Sequence, residues 1–138
     1  MSPEENKKVV RSLIGYYNAG DRGAAHELFS PDCVIFDWTG KEFTKDEFIP
    51  TMEEFVRAFP DFHLVIEDLI AEGDKVVVRL AESGTMTGSF MGASPTGQKY
   101  TQPAIEIHRI VEGKIMNLWT VRDIATAMVQ VGMMPPPE

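Results

Sequence analysis

The chain has 138 residues, 43% of them hydrophobic, with 13 basic against 21 acidic side chains and a formal net charge of −8. That length predicts one domain, able to bury roughly two-thirds of the surface its unfolded chain exposes, and the charge excludes the basic stripe that nucleic-acid phosphates require. The single cysteine, Cys33, excludes a disulfide framework and any multi-cysteine metal site.

In chain order, Ser2-Pro3-Glu4-Glu5 predicts a helix start, with Ser2 as N-cap, Pro3 at the first helical position and Glu5 completing a capping box. Residues 1–8 are charged and lack the apolar core of a signal peptide, and no later apolar run approaches a membrane span. A cytoplasmic protein without a membrane partner is therefore expected. Val9, Val10, Leu13, Ile14 and Tyr17 follow at helical spacing and define a buried face. Asn18-Ala19-Gly20 ends that helix, and Asp21 caps a shorter one with Ala25, Leu28 and Phe29 on its apolar side. Pro31-Asp32 breaks the pattern before a short strand over 33–38. Thr44-Lys45-Asp46-Glu47 is a second capping box, and Phe48, Met52, Phe55 and Phe59 behind it form a core stripe that Pro60 stops. His26 and His63 have no acidic or cysteine partner at ligand spacing and read as surface residues.

From His63 onward the signals are for strands: 63–72, a Gly73-Asp74 turn, then 75–87. Residues 84–97 contain four glycines and Pro95, which predicts a bulged strand end or a long loop. Residues 98–123 predict two strands folded about Glu112-Gly113. Counting outward from that turn pairs His108 with Asn117, Glu106 with Trp119, Ala104 with Val121 and Gln102 with Asp123, all on one face. Ile105, Ile107, Met116 and Leu118 take the other face, with Arg109, Thr120 and Arg122. A face that mixes Gln, Glu, His, Asn, Trp and Asp suits a ligand cavity, and a slip of one residue would part His108 from Asp123. Residues 123–131 predict a short helix for which Asp123 is also a natural N-cap, so the sequence allows that side chain either role.

Helices early and strands late give an α+β fold: a curved, mostly antiparallel sheet wrapped on about three helices, forming a cone with one pocket. The expected domain spans 1–132, with a proline-rich tail over 133–138.

Several segments resemble the SnoaL-like polyketide cyclases of the nuclear transport factor 2-like superfamily. They are Asn18-Ala19-Gly20-Asp21, Phe59-Pro60-Asp61, the run 66–74, Gly84-Thr85-Met86-Thr87-Gly88, and His108-Arg109-Ile110 with Gly113-Lys114-Ile115 and Trp119. The resemblance implies an apolar small-molecule substrate with carbonyl groups and an aldol-type ring closure without metal or organic cofactor. It further implies Asp123 as acid/base, assisted by His108; the mixed face of the hairpin adds Gln102, Glu106, Asn117 and Trp119 as the expected pocket lining. Glu106 in such a pocket is expected to titrate high through burial, unless an ion pair lowers it.

Asp37-Trp38-Thr39-Gly40 resembles a second group of the superfamily, the ketosteroid isomerases, in which that aspartate is the general base. Glu106 before Arg109 would then match their protonated carboxyl donor. Leu13 stands where those enzymes keep a tyrosine, with Tyr17 one turn later on the same face. A third reading is a non-catalytic ligand-binding or dimerisation module. In each case the apolar outer sheet face is expected to pair two copies into a homodimer.

Overall fold

The computed structural model describes residues 1–37 and 39–137; Trp38, the expected end of the first strand, lies outside the described residues. Ser2 caps α1 (Pro3–Asn18), accepting from Glu5 N at 3.1 Å. Asp21 caps α2 (Arg22–Glu27) in the same way. Thr44 and Glu47 close the capping box of α3 (Lys45–Ala58), which runs through Pro50. A bidentate Arg22–Glu53 pair, with Nε to Oε1 at 2.7 Å, ties α2 to α3.

Six strands form one sheet in the order β2-β1-β6-β5-β4-β3. They are β1 (Phe29–Phe36), β2 (Glu42–Thr44), β3 (His63–Glu72), β4 (Lys75–Thr85), β5 (Lys99–Val111) and β6 (Lys114–Arg122). β1 and β6 run parallel and the other neighbours antiparallel. A fourth helix, α4 (Ile124–Gln130), packs on β5. The expected α+β architecture is the observed one, with two differences: β1 begins four residues early and passes through Pro31, and β2 adds an edge strand. The inner face of the sheet supplies Ile35, Val76, Val78, Leu80, Ala104, Ile110, Ile115 and Leu118 to the core, where they meet Val10, Leu13, Met52 and Phe59 of the helices.

The hairpin of β5 and β6 turns at Glu112-Gly113 as expected, and Val111 pairs with Lys114. Its register then departs from the count. Ile110 pairs with Ile115 but Arg109 with Asn117, so Met116 is an extra residue in β6, a β-bulge. Beyond it His108 faces Leu118, Glu106 faces Thr120 and Ala104 faces Arg122. Because side chains alternate along a strand, this slip of one residue exchanges the two faces of β6. Leu118, Thr120 and Arg122 turn inward beside Glu106 and His108, whereas Asn117, Trp119 and Val121 turn outward. The expected grouping of Asn117, Trp119 and Asp123 with His108 is therefore not the observed one.

Candidate active site

Strands β4, β5 and β6 aim a polar cluster into the core. Val76, Val78 and Leu80 alternate inward along β4, and the next inward position is Glu82, fully buried. A buried carboxylate is costly unless hydrogen bonds and an opposite charge compensate it. Tyr100 Oη donates to Glu82 Oε2 at 2.6 Å and Gln102 Nε2 at 2.9 Å, both from β5. Arg122 of β6 brings Nη1 to 3.1 Å from Oε1. The second inward carboxylate, Glu106, lies with Oε1 3.2 Å from Nε2 of His108, a histidine with no exposed surface.

Burial pushes the Glu106 carboxyl up, but the His108 hydrogen bond, the positive charge of Arg122 and the nearby Thr120 outweigh it and hold the group below the usual glutamate value. The ion-pair outcome thus replaces the expected upward shift. Burial works equally against the Arg122 cation, and Glu82 and Glu106 together more than restore it. Burial, then Glu106, raise the Tyr17 hydroxyl, which stays protonated.

Above this cluster opens a cavity of about 230 Å³. Its walls are largely apolar, from Phe43, Phe48, Met52, Phe55, Phe90 and Met91, and its polar lining is Asp37, Thr51, Glu54, Thr120 and Arg122, with Glu54 exposed on α3. A second, separate space of about 20 Å³ shares Phe48, Met52 and Arg122 with it and is bordered also by Tyr17 and Glu106. Arg122 thus sits between the two spaces, with its guanidinium carbon 6.0 Å from the Phe55 ring centre. Phe90 closes the cavity from the glycine-rich segment. It packs on Phe55 and Phe59 at ring-centre distances of 5.8 and 5.3 Å. Gly88 lets that segment approach α3, since a Cβ there would lie 2.5 Å from the Arg57 carbonyl oxygen.

Of the expected site residues, the structure gathers Tyr17, Gln102, Glu106 and His108 around Arg122, and places Asp37 on the cavity wall. Asp37 Oδ1 is engaged in its own turn, accepting from Thr39 N at 2.9 Å and Lys41 N at 3.3 Å. Its Oδ2 makes no hydrogen bond among the described residues. Asn117 instead accepts from Arg109 on the outer face at 3.3 Å, and Trp119 stacks there on Phe36 at 5.6 Å. Asp123 is exposed and caps α4, accepting from Thr126 N at 3.3 Å and Thr126 Oγ1 at 2.6 Å. His26 is buried against Tyr17 and Phe48, not on the surface, and burial lowers its pKa; His63 is exposed as expected.

Glu82, Tyr100, Thr120 and Arg122 were not anticipated. A signal for Glu82 was present, because it continues the alternating apolar row Val76, Val78, Leu80. Among the described residues no group of three or more His, Cys, Asp or Glu side chains could hold a metal ion. No helix among them is long and apolar enough to cross a membrane.

A curved α+β sheet closed by helices over an apolar cavity, with buried acids and a cation at its base, defines a small-molecule site of the nuclear transport factor 2-like class. The model of the SnoaL-like polyketide cyclase family matches residues 7–131, and the chain belongs to that family. Its fold is similar to that of AclR, a proposed hydroxylase from Streptomyces galilaeus (30% identity, 99% of this chain and 87% of that one, TM-score 0.91). It is also similar to IdmH, a proposed polyketide cyclase from Streptomyces antibioticus (27% identity, 92% and 98% covered, TM-score 0.83). A proposed SnoaL-like polyketide cyclase from Jannaschia sp. CCS1, at 24% identity, shares the fold (99% and 98% covered, TM-score 0.87). No curated protein matches the chain. The family and these neighbours support a small-molecule enzyme.

Proposed function

We propose that the chain is a cofactor-free acid/base enzyme that takes a planar, largely apolar carbonyl compound into the cavity and closes a ring on it by an aldol-type step. The observation that carries this reading is a carboxylate whose Oδ2 is uncommitted among the described residues, Asp37, on the wall of a largely apolar cavity that reaches the half-buried cation Arg122. Asp37 takes a proton from the carbon next to the carbonyl, the carbanion attacks a second carbonyl of the same molecule, and the proton returns to the new alkoxide. This assigns the base to the isomerase-like position. The competing assignment, Asp123, would need its exposed cap to reach the cavity.

The enolisable ketone 2-tetralone tests the proton-transfer half, by NMR of its exchange with D₂O. Wild-type protein should accelerate exchange, Asp37→Asn should lose about 10²–10⁴-fold, and Asp123→Asn should stay within a few-fold. The reverse ranking would return the role to Asp123. A bound ketone that exchanges no faster than in buffer would favour the non-catalytic binding module.

We also propose a homodimer through the outer sheet face. Ile105 is 48% and Val121 68% exposed there, beside Ile107, Trp119 and Phe36. Met116, at the bulge, is half-buried, and Leu118, expected on this face, is buried in the core. Light scattering should give a mass of two chains, and a monomer at micromolar concentration would refute the pairing.

A further inference from the structure

Phe90 occupies a place framed for an aromatic ring. Phe55 meets it edge-on, with ring centres 5.8 Å apart and planes at 81°, and Phe59 does so at 5.3 Å and 76°, an arrangement that aromatic rings prefer. Tyr100 continues the frame, edge-on to Phe59 at 5.2 Å. Phe90 also borders two spaces. One is the cavity that Asp37 lines. The other is a space of about 20 Å³ under α4, walled by Ile124, Ala127, Met128, Val131 and Met133. Phe55 and Phe90 are the two residues that line both.

The main chain does not fix Phe90 in this place. Met91 and Gly92 take positive φ, 49° and 80°, and close a turn in which Phe90 N donates to Ala93 O at 3.1 Å and Ala93 N to Phe90 O at 2.9 Å. Residues 89–95 make no other hydrogen bond among the described residues. The attachments lie outside the turn, where Gly88 N donates to Ala58 O and Gly97 N to Met86 O. Between them the turn rests on the core through Phe90 and Ala93. Swinging it outward as a unit breaks no hydrogen bond and gives up only apolar contact. A second ring in the same place recovers that contact. Beyond it, Met128 and Met133 have unbranched side chains that can repack around a bulkier group.

We propose that the Phe90 ring is a placeholder in an aryl subsite of the ligand. A carbonyl compound carrying an aromatic ring beyond its reacting end displaces Phe90, lies against Phe55 and Phe59, and reaches under α4 to Met128 and Met133. This rests on the reading of the cavity as the small-molecule site and adds the class of substrate it selects: elongated aryl ketones over compact ones. A ligand short enough to stay within the cavity leaves Phe90 where it is.

The test compares 4-acetylbiphenyl with acetophenone, the same methyl ketone without the second ring, by NMR of protein labelled in its methionine methyl groups. Acetophenone should shift the signals of Met52 and Met91, which line the cavity, and leave Met128 and Met133 alone. The biphenyl should shift all four, with nuclear Overhauser contacts from its outer ring to Met128 and Met133. Phe90→Ala removes the placeholder. It should bind the biphenyl about tenfold or more tighter than wild-type protein, because no ring then has to be displaced, and acetophenone within about threefold of wild type. A ring that is only cavity wall would act in the opposite sense, and its loss would weaken both ketones. Biphenyl shifts confined to Met52 and Met91, no shift at all, or weaker binding of both ketones by Phe90→Ala would overturn the proposal. The catalytic reading is judged separately, by exchange of the acetyl protons with D₂O. Contact at Met128 without faster exchange fails that reading alone, and faster exchange with contacts confined to Met52 and Met91 fails this inference alone.

Discussion

Replacing Arg122 by Met removes the one positive charge that lines the cavity among the described residues and leaves two carboxylates facing the core. Glu82 has no exposed surface and Glu106 is 7% exposed, so neither can recover the lost interaction from water. At the 3.1 Å separation of Arg122 Nη1 and Glu82 Oε1, the Coulomb attraction is about 5 kcal/mol with an effective dielectric near 20. Breaking a buried pair from one side costs about 3–5 kcal/mol, a large share of the ~5–15 kcal/mol that holds a domain together. The sign with pH follows from the direction of each shift. In the wild type Glu106 is held below its ordinary value of 4.5, so its stabilisation is present above that pH and is lost as pH falls through the lower folded value. In Arg122→Met the Glu106 carboxyl loses the guanidinium that opposes its burial, and its acidity falls. The penalty of that buried charge then grows as pH rises through the raised value and is relieved in acid. Urea unfolding followed by circular dichroism should show a gap of about 3–5 kcal/mol at pH 7.5 that narrows by pH 5.5, and Glu82→Gln added to Arg122→Met should recover part of it. A gap below about 1 kcal/mol, or one that does not change with pH, would show that the guanidinium is solvated and that the two carboxylates do not depend on it.

Asp123→Ala should cost about 1 kcal/mol in the same unfolding measurement, because it removes both acceptors from Thr126, while Asp123→Asn should cost only a few tenths. An equal loss in both would show that the carboxylate charge, and not the cap, matters at this site. Gly88→Ala should destabilise by about 1–3 kcal/mol, since its Cβ would force the Phe90 segment away from the Arg57 carbonyl. A variant with unchanged stability would mean that the segment does not rest on α3.

What could be read from the sequence was decided locally. The caps at Ser2, Asp21 and Thr44 are bonds between residues three apart, and their donors and acceptors are identifiable in the sequence before any tertiary contact exists. The Glu112-Gly113 turn is local in the same sense, and both residues take the positive φ it requires. Gln102, Glu106 and His108 share one face because all three lie on one strand, where alternation alone decides the face.

The face of β6 is not a local matter, because the Met116 bulge carries no turn residue and no break in β-forming character. Its cause is the charge balance of neighbouring strands. In an unbroken register Asn117, Trp119 and Val121 would face inward and Arg122 outward. Glu82 and Glu106 would then enter the core without a guanidinium, at a cost of several kcal/mol. One extra residue at Met116 reverses this. It buries Leu118, stacks Trp119 on Phe36 outside, and delivers Arg122 to the two carboxylates. Glu82 could have signalled that requirement, because a carboxylate at the end of the row Val76, Val78, Leu80 needs a cation from an adjacent element. Within β6 the basic residues are Lys114, at the turn, and Arg122, opposite Ala104. Asking which cation balances the inward acids selects Arg122, and with it the register of the strand that carries the site.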